Sequence, residues 1–338
     1  MIKLSILDQS PIRTGGSHED AISETLELSR AADSLGYFRY WVAEHHNSRG
    51  LACTAPEILI SRIASITTHL RVGAGGIMLT HYSPLKVAET FRMLETLYPG
   101  RIDLGVGRAP GTDRRAASAL RSGSDGWGAE QYPQQVSDLI EFISDRIDPA
   151  HPFASVHAMP AGPSTPPMWL LGSSDQTAAV AAHFGCGFSF AHFINNQGGP
   201  AVMQAYRDQF QPAASLTQPD GSIGVFVLCA ETDDEAQRLC ASRDLWRLRV
   251  DQNIMGPFPS VEEATAYPYS DAERAQVAIN QRRQTVGSPG RVRAVLTELC
   301  EEYAVDELVV LTICYDFESR LRSYELLAKT FSLQPRNF

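Results

Sequence analysis

A carboxylate and two imidazoles stand together at Glu44, His45 and His46, directly after the short apolar run Tyr40, Trp41, Val42 and Ala43. In an extended chain neighbouring side chains point to opposite faces, so Glu44 and His46 share one side and His45 takes the other. Imidazole changes charge near neutral pH, which suits it to accept or deliver a proton. Ionisable groups at the end of a buried strand cost desolvation free energy unless they are paired or used. The plainer alternative is a histidine pair satisfied by hydrogen bonds at a strand edge. Glu44, His45, His46 and His81 do not have the H-x-H or H-E-x-x-H spacing of a metal centre, so no metal is expected.

Three other stretches carry recognisable chemistry. Gly73, Gly75 and Gly76 interrupt an apolar strand, where glycine marks tight packing or the close approach of something flat to the backbone. Gly105 and Gly107 repeat that pattern and are followed by Arg108, a permanent cation able to grip phosphate with two hydrogen bonds, or to form a plain salt bridge. Gly172, Ser173, Ser174 and Thr177 open an alanine-rich helix. Small and hydroxylated residues at a helix start offer free N–H groups to an anion, although an ordinary cap would explain one of the hydroxyls. A flat-ring site, a phosphate site, an arginine and a histidine pair point together to a phosphorylated aromatic cofactor, most simply flavin mononucleotide (FMN).

The elements that would position these groups alternate. Apolar strands are expected near 2–7, 40–43, 71–79, 101–106, 168–171, 186–191, 223–230 and 307–313. Helices are expected near 17–35, 55–68, 84–97, 134–146, 176–184, 201–210, 233–250, 291–303 and 317–331. Ser17, Pro56 and Pro84 are suited to helix starts, and Gly36 and Pro99-Gly100 to helix ends. Eight strands each followed by helix require a parallel sheet and favour a closed (β/α)8 TIM barrel with insertions at the strand carboxyl ends, where such barrels carry their chemistry. An open nucleotide-binding sheet would need a glycine-rich first turn, and Asp8-Gln9-Ser10-Pro11 is not one. The segments 109–131, with a polar loop at 122–128, and 251–289 read as irregular. The second has the proline and glycine clusters of a mobile lid, inside one domain spanning 1–338.

The 338 residues are 43% hydrophobic and 20% charged, an ordinary composition for a folded domain with ample core. A net charge of −10 without any basic run argues against nucleic-acid or anionic-membrane binding. Six scattered cysteines without a C-x-x-C pair suit a reducing cytoplasm. The amino terminus reads as a strand and not as a signal peptide, and no apolar run is long enough to span a bilayer.

The stretches 40–47, 72–79, 99–112 and 171–174, in that order, resemble the bacterial luciferase-like flavin monooxygenases, nearest the single-subunit, alkanal-monooxygenase-like branch. The similarity runs along essentially the whole chain. It implies a TIM barrel, reduced FMN as cosubstrate, molecular oxygen as oxidant and a separate flavin reductase as partner. It places the family's reactive histidine on His45, the flavin-ring contact, often a non-proline cis peptide, on Gly75-Gly76, and phosphate contacts on Arg108, Ser174 and Thr177. It also implies a homodimer built on the helices at 55–68 and 84–97, with Ile58, Ile66, Val87 and Phe91 as candidate apolar contacts. One departure stands at Gly107, where the luciferases proper carry cysteine, so light emission is not implied. The expected function is an FMN-dependent monooxygenase acting on a small aldehyde, ketone or other soft substrate. A deazaflavin-dependent hydride transfer and non-catalytic flavin binding are the alternatives.

Overall fold

The computed structural model describes residues 2–121, 129–162 and 164–334, so the polar loop expected at 122–128 lies outside the described residues. The first half of the chain runs β1 (Lys3–Asp8), α1 (His18–Leu35), β2 (Arg39–Val42), α2 (Pro56–Ile66), β3 (Arg71–Met78), α3 (Pro84–Leu97) and β4 (Ile102–Gly107). Two helices follow, α4 (Arg114–Leu120) and α5 (Tyr132–Ser144), before β5 (Met168–Gly172), α6 (Asp175–His183), β6 (Gly187–Ala191), α7 (Gly199–Gln209) and β7 (Gly221–Cys229). The remainder is α8 (Asp233–Asp251), α9 (Val261–Ala266), α10 (Asp271–Gln281), β8 (Gln284–Gly287), α11 (Pro289–Tyr303), β9 (Glu307–Leu311) and α12 (Phe317–Thr330).

All strand pairs are parallel, and eight strands close on themselves in the order β1, β2, β3, β4, β5, β6, β7, β9. The chain is therefore a (β/α)8 barrel. Period-two alternation divides its core. Leu4, Ile6, Tyr40 and Val42 pack outward against the helices, whereas Leu7, Trp41, Trp169 and Val309 fill the barrel. Local signals set the boundaries. Ser17 and Asp20 form a reciprocal capping box on α1, and Gly36 ends it at φ 88°, a conformation that glycine adopts without steric cost.

The segment 251–289, expected to be irregular, is ordered into regular elements. It contains α9, α10 and β8, and β8 pairs with the carboxyl half of β7 where β9 has diverged. Its helices pack on α8 through Leu245, Leu248 and Ala264. Phe258 is fully buried, stacks on Trp246 with ring centroids 4.4 Å apart, and exchanges backbone hydrogen bonds with Ile12 and Thr14. Short amphipathic helices punctuated by proline leave too little periodicity to recognise, which is why the stretch reads as loop.

A charged plug closes the opposite, amino-terminal mouth of the barrel. Arg39 donates to Glu307 at 2.7 Å and to Asp103 at 3.0 Å, and lies over the Trp169 ring at 4.5 Å. Arg71 and the Trp41 indole N–H also donate to Asp103. Buried charges persist only when paired and fully hydrogen-bonded, and this network meets that condition.

Candidate active site

At the carboxyl ends of the strands lies a cavity of about 400 Å³, walled by Leu7, Trp41, His45, Gly75, Gly76, Gly107, Arg108, Leu171, Gly172, Ser173, Ser174, Thr177 and their neighbours. His45, Gly75, Gly76, Arg108, Gly172, Ser173, Ser174 and Thr177 are all on that wall, whereas Glu44, His46, Gly73 and Gly105 are not. A second chamber of about 720 Å³ adjoins it, sharing Gln9, His45, Gly111, Phe193 and Ile194.

The expected split of the Glu-His-His run is realised. Glu44 is fully buried and accepts three hydrogen bonds, from the His46 ring at 2.6 Å, the Met78 backbone N–H at 2.9 Å and the Tyr82 hydroxyl at 2.6 Å. Glu44 and His46 thus brace the end of β3 against β2. His45 faces the cavity, held by its backbone N–H to the Cys53 carbonyl, and its ring Nδ1 is buried with no protein partner. Burial, then the neighbouring His46, pushes the His45 pKa down from 6.5 to about 4. This corrects the expectation of an imidazole near its usual pKa. At neutral pH His45 is uncharged in the free protein, ready to share a hydrogen bond and a weak base until an anion beside it raises its pKa.

Gly75-Gly76 is a non-proline cis peptide, and the β3–β4 register shifts across it. A Cβ at Gly75 would sit 2.6 Å from Leu7 Cδ1, and one at Gly76 would sit 2.8 Å from the Gly105 carbonyl oxygen. Close backbone alone demands glycine at Gly76, whereas at Gly75 the Leu7 side-chain end could give way, and the two glycines leave a cavity wall of bare backbone. Gly107 differs: a Cβ there would meet only Met78, at 3.7 Å, in ordinary van der Waals contact.

At the far end Ser174 caps α6 by accepting from the Thr177 N–H, and the two hydroxyl oxygens are 3.3 Å apart. Gly172 lets them meet, since a Cβ there would lie 2.7 Å from Thr177 Oγ1. Arg108 is half-buried and donates to the Gln176 side chain at 2.6 Å, which poises it beside the same helix start with no carboxylate partner among the described residues. A flat wall of peptide, an imidazole nitrogen lacking a partner among the described residues, and hydroxyls with a guanidinium at a helix amino terminus could hold a flat ring that carries phosphate.

Two groups of residues were not foreseen. Glu44 reads as a candidate for chemistry, but its partners Met78 and Tyr82 lie 34 and 38 positions away and make it a brace. The second chamber is walled by Arg49, Arg243, Arg247 and Arg283. The pair Arg243 and Arg247, four apart on α8, is the one local signal that could have flagged it.

Comparison with known proteins agrees with this geometry. Residues 2–307 match the family model described as luciferase-like monooxygenase. An Escherichia coli protein named luciferase-like monooxygenase is 37% identical over 96% of this chain and 96% of its own. The N-acetyl-S-alkylcysteine monooxygenase of Bacillus subtilis is 35% identical over 97% of this chain and 98% of its own. The crystal structure of apo-MsnO8 superposes with a TM-score of 0.91 at 40% identity, covering 99% of this chain and 100% of that one. Two barrels under 25% identical share the fold. The oxygenating constituent of 3,6-diketocamphane monooxygenase from Pseudomonas putida, in complex with FMN, has a TM-score of 0.70 at 20% identity, covering 98% of this chain and 97% of that one. An F420-dependent secondary alcohol dehydrogenase has 0.68 at 12%, covering 99% of each chain. The chain belongs to the luciferase-like monooxygenase family and is an oxidoreductase of that class.

Proposed function

We propose that the chain is the oxygenase component of a two-part system, taking reduced FMN from a separate flavin reductase and using O2 to oxidise a small organic molecule such as an aldehyde or ketone. The observation that carries this reading is the single cavity with His45 at one end and Ser174, Thr177 and Arg108 at the other. Reduced flavin, when bound, supplies two electrons to O2, so that one oxygen atom enters the substrate and the other leaves as water.

The protein's own contribution is placement and proton control. Arg108, Ser173, Ser174 and Thr177, with the N–H groups opening α6, would hold a phosphate. Gly75, Gly76 and Gly172 would let a flat ring lie against backbone. His45 would offer its unpartnered nitrogen to the reacting centre as hydrogen-bond donor or acceptor, and Trp41, Leu171 and Phe193 would keep water away. His46, bound to Glu44, lines the second chamber but not the cofactor cavity.

A deazaflavin-dependent hydride transfer is the competing reading, and the F420-dependent barrel of the same fold supports keeping it. The test is oxygen uptake with reductase-supplied FMN across a panel of aldehydes and ketones. Substrate-dependent uptake is the expected result, and turnover that proceeds without O2 on reduced F420 would replace this reading with the alternative. The homodimer belongs to the same proposal. The face of α2 and α3 leaves Ile58 at 68%, Met93 at 49% and Leu97 at 55% exposure, although Val87 and Phe91, expected there, are buried within the subunit. Six cysteines, all free and buried, fit a reducing cytoplasm. No helix among the described residues is long and apolar enough to cross a membrane.

A further inference from the structure

The chamber beyond His45 has a chemistry of its own. Four guanidinium groups line it, from Arg49 on the loop after β2, Arg243 and Arg247 on α8, and Arg283 just before β8. Arg243 is 7% exposed, and its Nη1 is buried with no hydrogen-bond partner. Its flat face lies over the Phe226 ring at 4.5 Å, which fixes the group from behind. Arg247 has a buried Nε without a partner.

The local carboxylates offset this charge only in part, because each is shared with other donors. Asp244 stands 3.7 Å from Arg243 Nη1 but takes the side-chain amides of Gln281 and Gln284, both at 2.7 Å. Asp251 is divided between Arg247 at 2.5 Å and Asn280 at 2.8 Å. Asp113, the one carboxylate on the wall among the described residues, accepts from Asn47 and from the first N–H groups of α4. Arg283 is tied to the Ile194 carbonyl and the Asn280 side chain, both neutral.

The guanidiniums also feel one another. Burial lowers the pKa of Arg243; Cys240 and Asp244 oppose that shift, and the charges of Arg247 and Arg283 add to it, while burial and then Arg247 lower the pKa of Arg283 against Asp251. Like charges gathered in a half-buried space cost free energy that an entering anion would return. Apolar side chains, Leu51, Val250, Met255 and Ile313, complete the wall.

We propose that this chamber is the substrate site and that the substrate is an organic anion, a carboxylate on an apolar body, with its head on Arg243, Arg247 and Arg283 and its reactive end toward His45. The assignment rests on the monooxygenase reading for the reaction, but the anion site stands on its own residues. A guanidinium binds a carboxylate through two parallel hydrogen bonds, and three such groups on one side of an apolar chamber set orientation as well as affinity. The shared wall at His45 would put the uncharged end of the molecule beside the cofactor cavity.

The test uses octanoate and octanamide, equal in size and differing in charge, titrated calorimetrically into the full-length protein without flavin. Octanoate is expected to bind about ten-fold or more tightly than octanamide, with a preference that shrinks as salt is added. Arg283→Gln and Arg247→Gln should each reduce that preference while leaving FMN affinity unchanged, and Arg108→Ala should do the reverse. Equal binding of the two probes, no binding of octanoate at millimolar concentration, or a preference that survives both substitutions would overturn the proposal. Loss of FMN binding in the Arg247 and Arg283 variants would overturn it too, assigning the chamber to a cofactor phosphate instead. Because the titration contains no flavin, failure of the FMN reading leaves its outcome interpretable.

Discussion

His45 and His46 are chemically identical neighbours given different work by their surroundings. His46 is spent on Glu44, whereas His45 Nδ1 has no partner in the protein. His45→Ala should leave FMN binding near normal and lower turnover by about 10²- to 10⁴-fold, with His46→Ala the smaller effect in a steady-state assay. The reverse order would exchange their roles. The depressed His45 pKa has a stability consequence. The unfolded chain takes up this proton near pH 6.5 and the folded chain only near pH 4, so stability is full above pH 6.5 and falls as the pH drops through that window. The difference is worth up to about 3 kcal/mol, and His45→Asn should flatten that acid limb in urea unfolding measured between pH 7 and pH 4. An unchanged limb would show that the imidazole is not buried. Alternation along the strand predicted that the two histidines part to opposite sides, and the family resemblance chose His45 as the reactive one. The lowered pKa was not legible, because it arises from packing around the ring.

Among the elements, α6 and the 251–289 segment show what local pattern conveys and what it hides. The hydroxyls at 173, 174 and 177 mark an anion-ready helix start because the relevant groups lie within one turn. Thr177→Val and Arg108→Ala should weaken FMN binding by about 10- to 150-fold, as expected for loss of a charge-assisted hydrogen bond, with the chemistry of bound flavin intact. The 251–289 segment was illegible since its order comes from distant partners, Trp246 for Phe258 and β7 for β8. Phe258→Ala should cost about 3–5 kcal/mol in urea unfolding, the loss typical of a fully buried aromatic; a cost below 1 kcal/mol would show that this contact does not hold the segment. Whether the segment also closes over bound flavin is checked by limited proteolysis. Cleavage within it that FMN suppresses would support a lid, and equal cleavage with and without FMN would speak against one.

For the whole molecule, the barrel separates stability from chemistry. Arg39, Asp103 and Glu307 seal one mouth, while the other is left to glycines, hydroxyls, an imidazole and, beyond it, four arginines. Alternating strand and helix signals made this architecture readable, and only the extra strand β8 and three helices, α4 in the 109–131 segment and α9 and α10 in the insertion, escaped. The exposed Ile58, Met93 and Leu97 on α2 and α3 predict a homodimer in sedimentation at micromolar concentration, and a monomer there would remove that part of the account. The most direct test of the central claim is anaerobic titration of the wild-type protein with reduced FMN, followed by admission of O2. The account predicts saturable binding of one reduced FMN per subunit, weakened by Arg108→Ala and Thr177→Val but not by His45→Ala, and oxygen consumption by the complex. Absence of binding, or equal binding by the wild type and both phosphate-end variants, would contradict it.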